Sequence, residues 1–233
     1  MKKPKKITVK FFLNTNLHYI DKSDGKYYPL YAQITYDRKN TQIKCNYGNY
    51  YRGLDQVKAD TPNLLGFEER IFKKCVNYEL SRQGEDFRLK GLGKIYENHC
   101  LSIHSLFSSY LKLRFKNILR QAQPASFLEV LNLEKTGTDF FTIYEASLRL
   151  FDNIQSLIAD DFKEEMDIYK LYYQLYEEAV QNEQKYQFPV VVDWLEGGHQ
   201  RDLENKLREN HPHLITKTSI LINKIITTKL ELV

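Results

Sequence analysis

The stretch Pro29-Leu-Tyr-Ala-Gln-Ile-Thr-Tyr-Asp-Arg-Lys-Asn-Thr-Gln-Ile-Lys-Cys-Asn46 alternates in character on both sides of a polar turn. In its first arm Leu30, Ala32, Ile34 and Tyr36 share one side, and Tyr31, Gln33 and Thr35 the other. After Asp37-Arg38-Lys39-Asn40, Thr41, Ile43 and Cys45 oppose Gln42, Lys44 and Asn46. Period two marks a strand with one buried and one wet face. Asp and Asn at the ends of a short polar turn suit a hairpin. Upstream, Ile7, Val9, Phe11 and Leu13 oppose Thr8, Lys10 and Phe12 in the same rhythm. Three such strands predict a small antiparallel sheet with an apolar back. Its front carries Thr, Lys, Gln, Tyr and Asn, and no carboxylate.

Beyond the strands, Tyr47 to Asp55 is rich in turn formers, and Thr61-Pro62 opens a helical pattern. Leu64, Phe67, Ile71, Cys75 and Tyr78 form a stripe at helical spacing, with Leu65, Phe72, Val76 and Leu80 beside it. That helix would cover the apolar back of the sheet. The expected class is α+β: a three-stranded antiparallel sheet on one helix, followed by a mainly helical bundle. The expected division is a basic tail at 1–6, a β-β-β-α domain at 7–82, a glycine-bearing linker at 83–93, and a helical domain at 94–233. Within that domain helices are expected near 95–121, 125–133, 139–160 and 162–186. Phe188 to Leu195 is a short apolar run, and Thr218 to Leu232 suits strand or helix alike.

Charge is unevenly distributed. Residues 1–90 carry 18 Lys+Arg against 10 Asp+Glu, and residues 91–233 carry 16 against 20. A basic front and an acidic rear are thus hidden in a net charge of +4. A basic patch beside a donor-rich, acid-free face is the footprint of a phosphate binder that also meets base edges. The tail lysines Lys2, Lys3, Lys5 and Lys6 supply half of the excess, as a solvated tail or as an arm on the backbone.

No run approaches the roughly 20 apolar residues of a membrane span, and no apolar segment follows the basic N-terminus as in a secretory signal. Cys45, Cys75 and Cys100 are odd in number and widely spaced. They read as buried thiols of a cytoplasmic protein, not as a disulfide framework or zinc site.

The order Ile7-Thr-Val-Lys-Phe-Phe-Leu13, a loop ending Asp24-Gly25-Lys26, Tyr28-Pro29-Leu30-Tyr-Ala-Gln-Ile34-Thr, then Arg38-Lys39 and Thr41-Gln42-Ile43 resembles a known domain. It is similar to the N-terminal arm-type DNA-binding domain of bacterial mobile-element tyrosine recombinases (integrases). The likeness covers roughly residues 5–82. It implies that the three-stranded sheet enters the major groove. Lys10, Gln33, Thr35, Gln42 and Lys44 would then face the bases, while Arg38 and Lys39 would hold phosphate and set register. The catalytic half of such enzymes has no counterpart. None of His18, His99, His104, His199, His211 and His213 is followed three residues later by Arg, and 188–233 is too short for a catalytic domain.

Other chemistry is poorly represented. His99 and His104 are five apart on one expected helix, an offset that does not suit two metal ligands on one face. Asp160, Asp161, Glu164 and Glu165 cluster at a helix start, where the dipole favours them. Lys112, Lys116 and Arg120 form a basic helix stripe, read as a solvated face before a phosphate contact. No phosphate-cradling glycine loop occurs. The expectation is a non-catalytic double-stranded DNA-binding protein without metal or cofactor. Its helical part would meet a recombinase or a second copy. The alternative is an interaction module working through a Tyr-rich helix, with Tyr169, Tyr173 and Tyr176 as its contact surface.

Overall fold

In the computed structural model, which describes residues 5–17, 19–122, 140–150, 154–176 and 188–231, the alternating stretch forms the two longest sheet ladders. Strand β1 is Thr8–Leu13, β2 Ile20–Lys22, β3 Gly25–Tyr36, β4 Lys39–Lys44 and β5 Tyr50–Tyr51. All pair antiparallel to β3, with β1 and β4 on either side of its second half and the short β2 and β5 on its first. The back face is dry: Ala32 and Ile34 are fully buried, and Val9, Phe11 and Leu13 pack on the same core. The turn is tighter than the four polar residues suggest. Only Asp37 and Arg38 lie between the strands, both in the left-handed region at φ 49° and 63°, as a two-residue hairpin matching the sheet twist requires. Lys39 and Asn40, expected in the turn, are therefore strand residues opposite Tyr36 and Thr35.

A short helix α1, Leu54–Asp60, precedes α2, Leu64–Gln83, which lies under the sheet. The passage up to Asp55 was expected to be turn alone; Val57, wholly buried, makes α1 worth folding. The buried stripe of α2 is Leu64, Ile71, Phe72, Cys75 and Val76 with Glu68 and Glu79 among them, while Phe67, Tyr78 and Leu80 are partly buried at its border.

The chain divides into two compact units, and their borders differ from the sequence-based ones. The first comprises Met1–Ser102 with Lys185–Arg201; the second comprises Ile103–Gln184 with Asp202–Val233. Residues 83–93 are not a linker. They run as 3₁₀ turns at Gly84–Asp86 and Leu89–Gly91, and Phe87, Leu89 and Leu92 enter the core of the first unit. Helix α3, Leu92–His99, adds Tyr96 and Cys100 to that core. The helix expected over 95–121 breaks after His99 because the backbone there has another partner: Val191 N–H donates to Leu101 C=O at 2.9 Å, and Ser102 bridges Val190.

The apolar run at 188–195 thus returns to the first unit, where Val190 and Val192 are wholly buried. Its last part is a short helix, Val191–Leu195, fastened by charge. Asp193 accepts from Arg70, from Lys74 at 2.7 Å and from the Val190 N–H at 3.2 Å. Burial raises the Asp193 carboxyl, and the Arg70 and Lys74 hydrogen bonds outweigh it, holding the group below its ordinary range. Asp193→Ala is expected to cost on the order of 2–3 kcal/mol, less than a fully buried pair because Arg70 is partly exposed. Trp194, the single tryptophan, is 3% exposed and reports the undocking as a red shift in emission. The lowered carboxyl contributes stability above its unfolded value of about 3.8 and loses it as pH falls through the lower folded one. Wild type should therefore shift red only in stronger acid, and the variant already at neutral pH.

The second unit is helical. It holds α4 (Ile103–Ala122), α5 (Phe140–Leu150), α6 (Ile154–Leu157) and α7 (Asp160–Leu175). Numbering the clasp helix Val191–Leu195 as α8, the chain continues with α9 (Gly198–Asn210) and α10 (Ile215–Glu231). On α4 the residues Phe107, Leu111, Phe115 and Leu119 recur every fourth position at 0–1% exposure. The ambiguous C-terminal stretch is helix: Leu221, Ile222, Ile225 and Ile226 are buried at helical spacing, overriding the strand preference of Ile and Thr. The expected helix at 125–133 and the end of the one at 162–186 lie outside the described residues. In α7 the tyrosines are occupied within their own unit. Tyr169 is 2% exposed and stacks on Phe141, Tyr173 packs on His104 and Phe141, and Tyr176 donates to Asp202. Asp161 and Glu165 pair with Arg114, and Glu164 pairs with Lys217. The acidic cluster is thereby neutralised by cations of the same unit.

Candidate nucleic-acid interface

Strand register turns the polar residues into a grid. Lys10 lies opposite Gln33, and Gln33 opposite Gln42, giving one row across β1, β3 and β4. The adjacent row is Thr8, Thr35 and Asn40; the other is Phe12, Tyr31 and Lys44. Five expected contact residues, Lys10, Gln33, Thr35, Gln42 and Lys44, are brought onto one face. Thr8 and Asn40 complete the grid and were not singled out in the sequence. A register read across the strands, Thr8 to Thr35 to Asn40, was the signal available for both. None of the nine positions is acidic. The Phe12 and Tyr31 rings meet at 6.0 Å, and Lys44 Nζ sits 5.6 Å from the Tyr50 ring centre.

The two turn cations take different positions. Arg38 is exposed at the hairpin tip. Lys39 is in phase with Thr41 and Ile43, so it belongs to the dry side of β4 and not to the grid. Both line an open groove of ≈ 610 Å³ beside the tip, together with Asn40, Thr41, Arg88 and Lys90. The turn's own acid, Asp37, is engaged by Lys5 at 2.7 Å, whose hydrogen bond lowers the carboxyl from its ordinary value. Asn46, read as a continuation of the front, instead donates to Cys100 Sγ at 2.8 Å and its N–H to Tyr96 Oη at 2.8 Å. Lys112, Lys116 and Arg120 lie on α4, in the second unit.

The far end of β4 is anchored from below by Glu68. Its carboxylate accepts from the Tyr47 N–H at 3.0 Å and from the Tyr96 hydroxyl at 2.5 Å. Glu68 is wholly buried, and burial pushes its carboxyl up to about 7 against those two hydrogen bonds. The folded protein then keeps a proton that the unfolded chain releases above about pH 4.5. Stability from this group is complete below the unfolded value and is lost as pH rises towards 7, by about 3 kcal/mol. His104, which burial lowers to about 4, has the opposite slope. Comparison with Glu68→Gln cancels it, because both proteins carry His104. Urea midpoints across pH 4.5–8 should fall for wild type relative to the variant; parallel curves would refute the assignment.

Burial raises all three thiols, Cys100 up to about 12, so they stay protonated and unreactive. Among the described residues no three His, Cys, Asp or Glu side chains come together to hold a metal ion, and no helix is long and apolar enough to cross a membrane. No protein-family model, curated protein or solved structure matches the chain. Function is therefore read from the grid and its charge.

Proposed function

We propose that this is a non-catalytic double-stranded DNA-binding protein that lays the β1–β3–β4 face against the floor of the major groove. The observation that carries the reading is the in-register row Lys10–Gln33–Gln42 on an acid-free grid. Gln pairs with adenine N6 and N7, and Lys reaches guanine O6 and N7. Two strand spacings set the outer backbones about 10 Å apart, close to the groove width of about 12 Å. Charge agrees: the first unit, with its borders redrawn, carries 21 Lys+Arg against 13 Asp+Glu, while the second carries 13 against 17. The likeness to integrase arm domains favours a mobile-element accessory protein. The rival reading loses support, because Tyr169 is buried and Tyr173 and Tyr176 are engaged within the second unit.

The test is titration of the intact chain against duplex DNA over a range of salt. Each phosphate contact contributes about −0.9 to the slope of log affinity against log salt. A slope of roughly −3 or steeper is expected; absence of binding near physiological salt retires the proposal.

A further inference from the structure

The groove beside the hairpin tip is built from two separate stretches of chain. One wall is Arg38, Lys39, Asn40 and Thr41; the other is the 3₁₀ turn carrying Arg88 and Lys90, with Leu89 between them. Alternation holds that turn in place: Phe87 and Leu89 are 6% and 5% exposed, while Arg88 and Lys90 face outwards. The Phe87 ring meets Tyr36 edge-on at 6.2 Å, which fixes the turn against the end of β3. Arg88 Nη1 donates to the Phe87 carbonyl at 3.0 Å. Arg38, Lys39 and Lys90 make no ion pair among the described residues, Asp37 acts on Arg38 and Lys39 only through space, and no acid is among the described residues that line the groove.

Arg38 is also held in left-handed backbone, at φ 63°, where a non-glycine residue costs roughly 1–2 kcal/mol. The four cations that line the groove, with the Asn40 amide and the Thr41 hydroxyl as neutral donors, match an anion with several oxygens and more than one charge.

We infer that this groove binds a pair of neighbouring phosphate groups, Arg38 and Lys39 from one wall and Arg88 and Lys90 from the other. The source is either two successive phosphates of a duplex backbone, which rests on the DNA reading above, or a free polyphosphate, which does not. Asn40 belongs to both grid and groove, so a duplex whose bases meet the grid has its backbone at the groove's edge.

Inorganic pyrophosphate is the probe, titrated calorimetrically into the full-length chain. Arg88→Ala/Lys90→Ala and the single Lys90→Glu remove exposed side chains only, and their melting temperatures check the fold. Both should weaken pyrophosphate binding at least tenfold, while the charge-matched Lys58→Ala/Lys73→Ala leaves it unchanged. Wild type that fails to bind pyrophosphate, or groove variants that bind it as wild type does, would overturn the site. Duplex titration then identifies the source. A salt slope shallower by about 1.8 in the double variant, two contacts at about 0.9 each, assigns the groove to DNA. Pyrophosphate binding lost with the duplex slope unchanged, or with no duplex binding by any protein, leaves the groove standing as a free-polyphosphate site.

Discussion

A fragment ending at residue 90, which contains β1 to β5 and the helix beneath them, is expected to lose the folded sheet. The core it needs is completed from outside. Leu92, Tyr96, Val190 and Val192 are each wholly buried in one core with Ile34, Phe72 and Val76. Burying one such side chain stabilises by roughly 1.5–3 kcal/mol, so the four together supply about 6–12 kcal/mol. That equals the whole stability of an ordinary domain, about 5–15 kcal/mol. The fragment also loses the Tyr96 hydroxyl that serves Glu68, leaving a buried carboxylate on an opened face. Amide dispersion and a thermal melt of residues 1–90 should show no cooperative fold. A sharp transition near that of the intact chain would mean that the returning segment is ornamental.

Replacing the central row, Lys10→Ala/Gln33→Ala/Gln42→Ala, is expected to lower affinity for a selected DNA site at least 100-fold. A good side-chain contact to a base edge discriminates by about 1–3 kcal/mol, and 1.4 kcal/mol is about tenfold. Random duplex should suffer far less, because only Lys10 carries charge and one phosphate contact accounts for about 0.9 of salt slope. Folding should be little affected: Lys10 and Gln42 are exposed and Gln33 is partly so, and surface changes of this kind are usually within about 0.5 kcal/mol each. Equal losses on selected and random DNA would remove base reading from the row and leave a general backbone contact.

Sequence and tertiary structure divided the work along physical lines. Strand phase is local: the alternation of Leu30, Ala32 and Ile34 against Tyr31, Gln33 and Thr35 settles which side chains share a face, whatever the rest of the chain does. Five grid residues were legible for that reason, and so was the α+β class. The turn was only partly legible, since Asp37-Arg38 lacks the glycine that usually announces a left-handed pair. Glu68 and Glu79 were hidden for a different reason. A carboxylate in a helix stripe reads as solvated until its partners, Tyr96 and Tyr47 or Arg82 and Gln83, are known.

Partners far along the chain were out of reach of any local pattern. Periodicity carries the helix past Cys100, but the backbone at Leu101 and Ser102 pairs with 190–191 instead. Arg88 and Lys90 looked like linker charges, and the burial of Phe87 and Leu89 makes them one wall of a groove. The sequence by itself determined the three long strands β1, β3 and β4, their wet face and its charge, because these depend on the pitch of the backbone and on composition. The sheet has five strands, and the short β2 and β5 carry too few residues to show a period. Only the tertiary structure decided where the first unit ends and what completes its core. Those contacts join residues about a hundred positions apart, and a hydrophobic side chain does not encode which apolar surface will cover it.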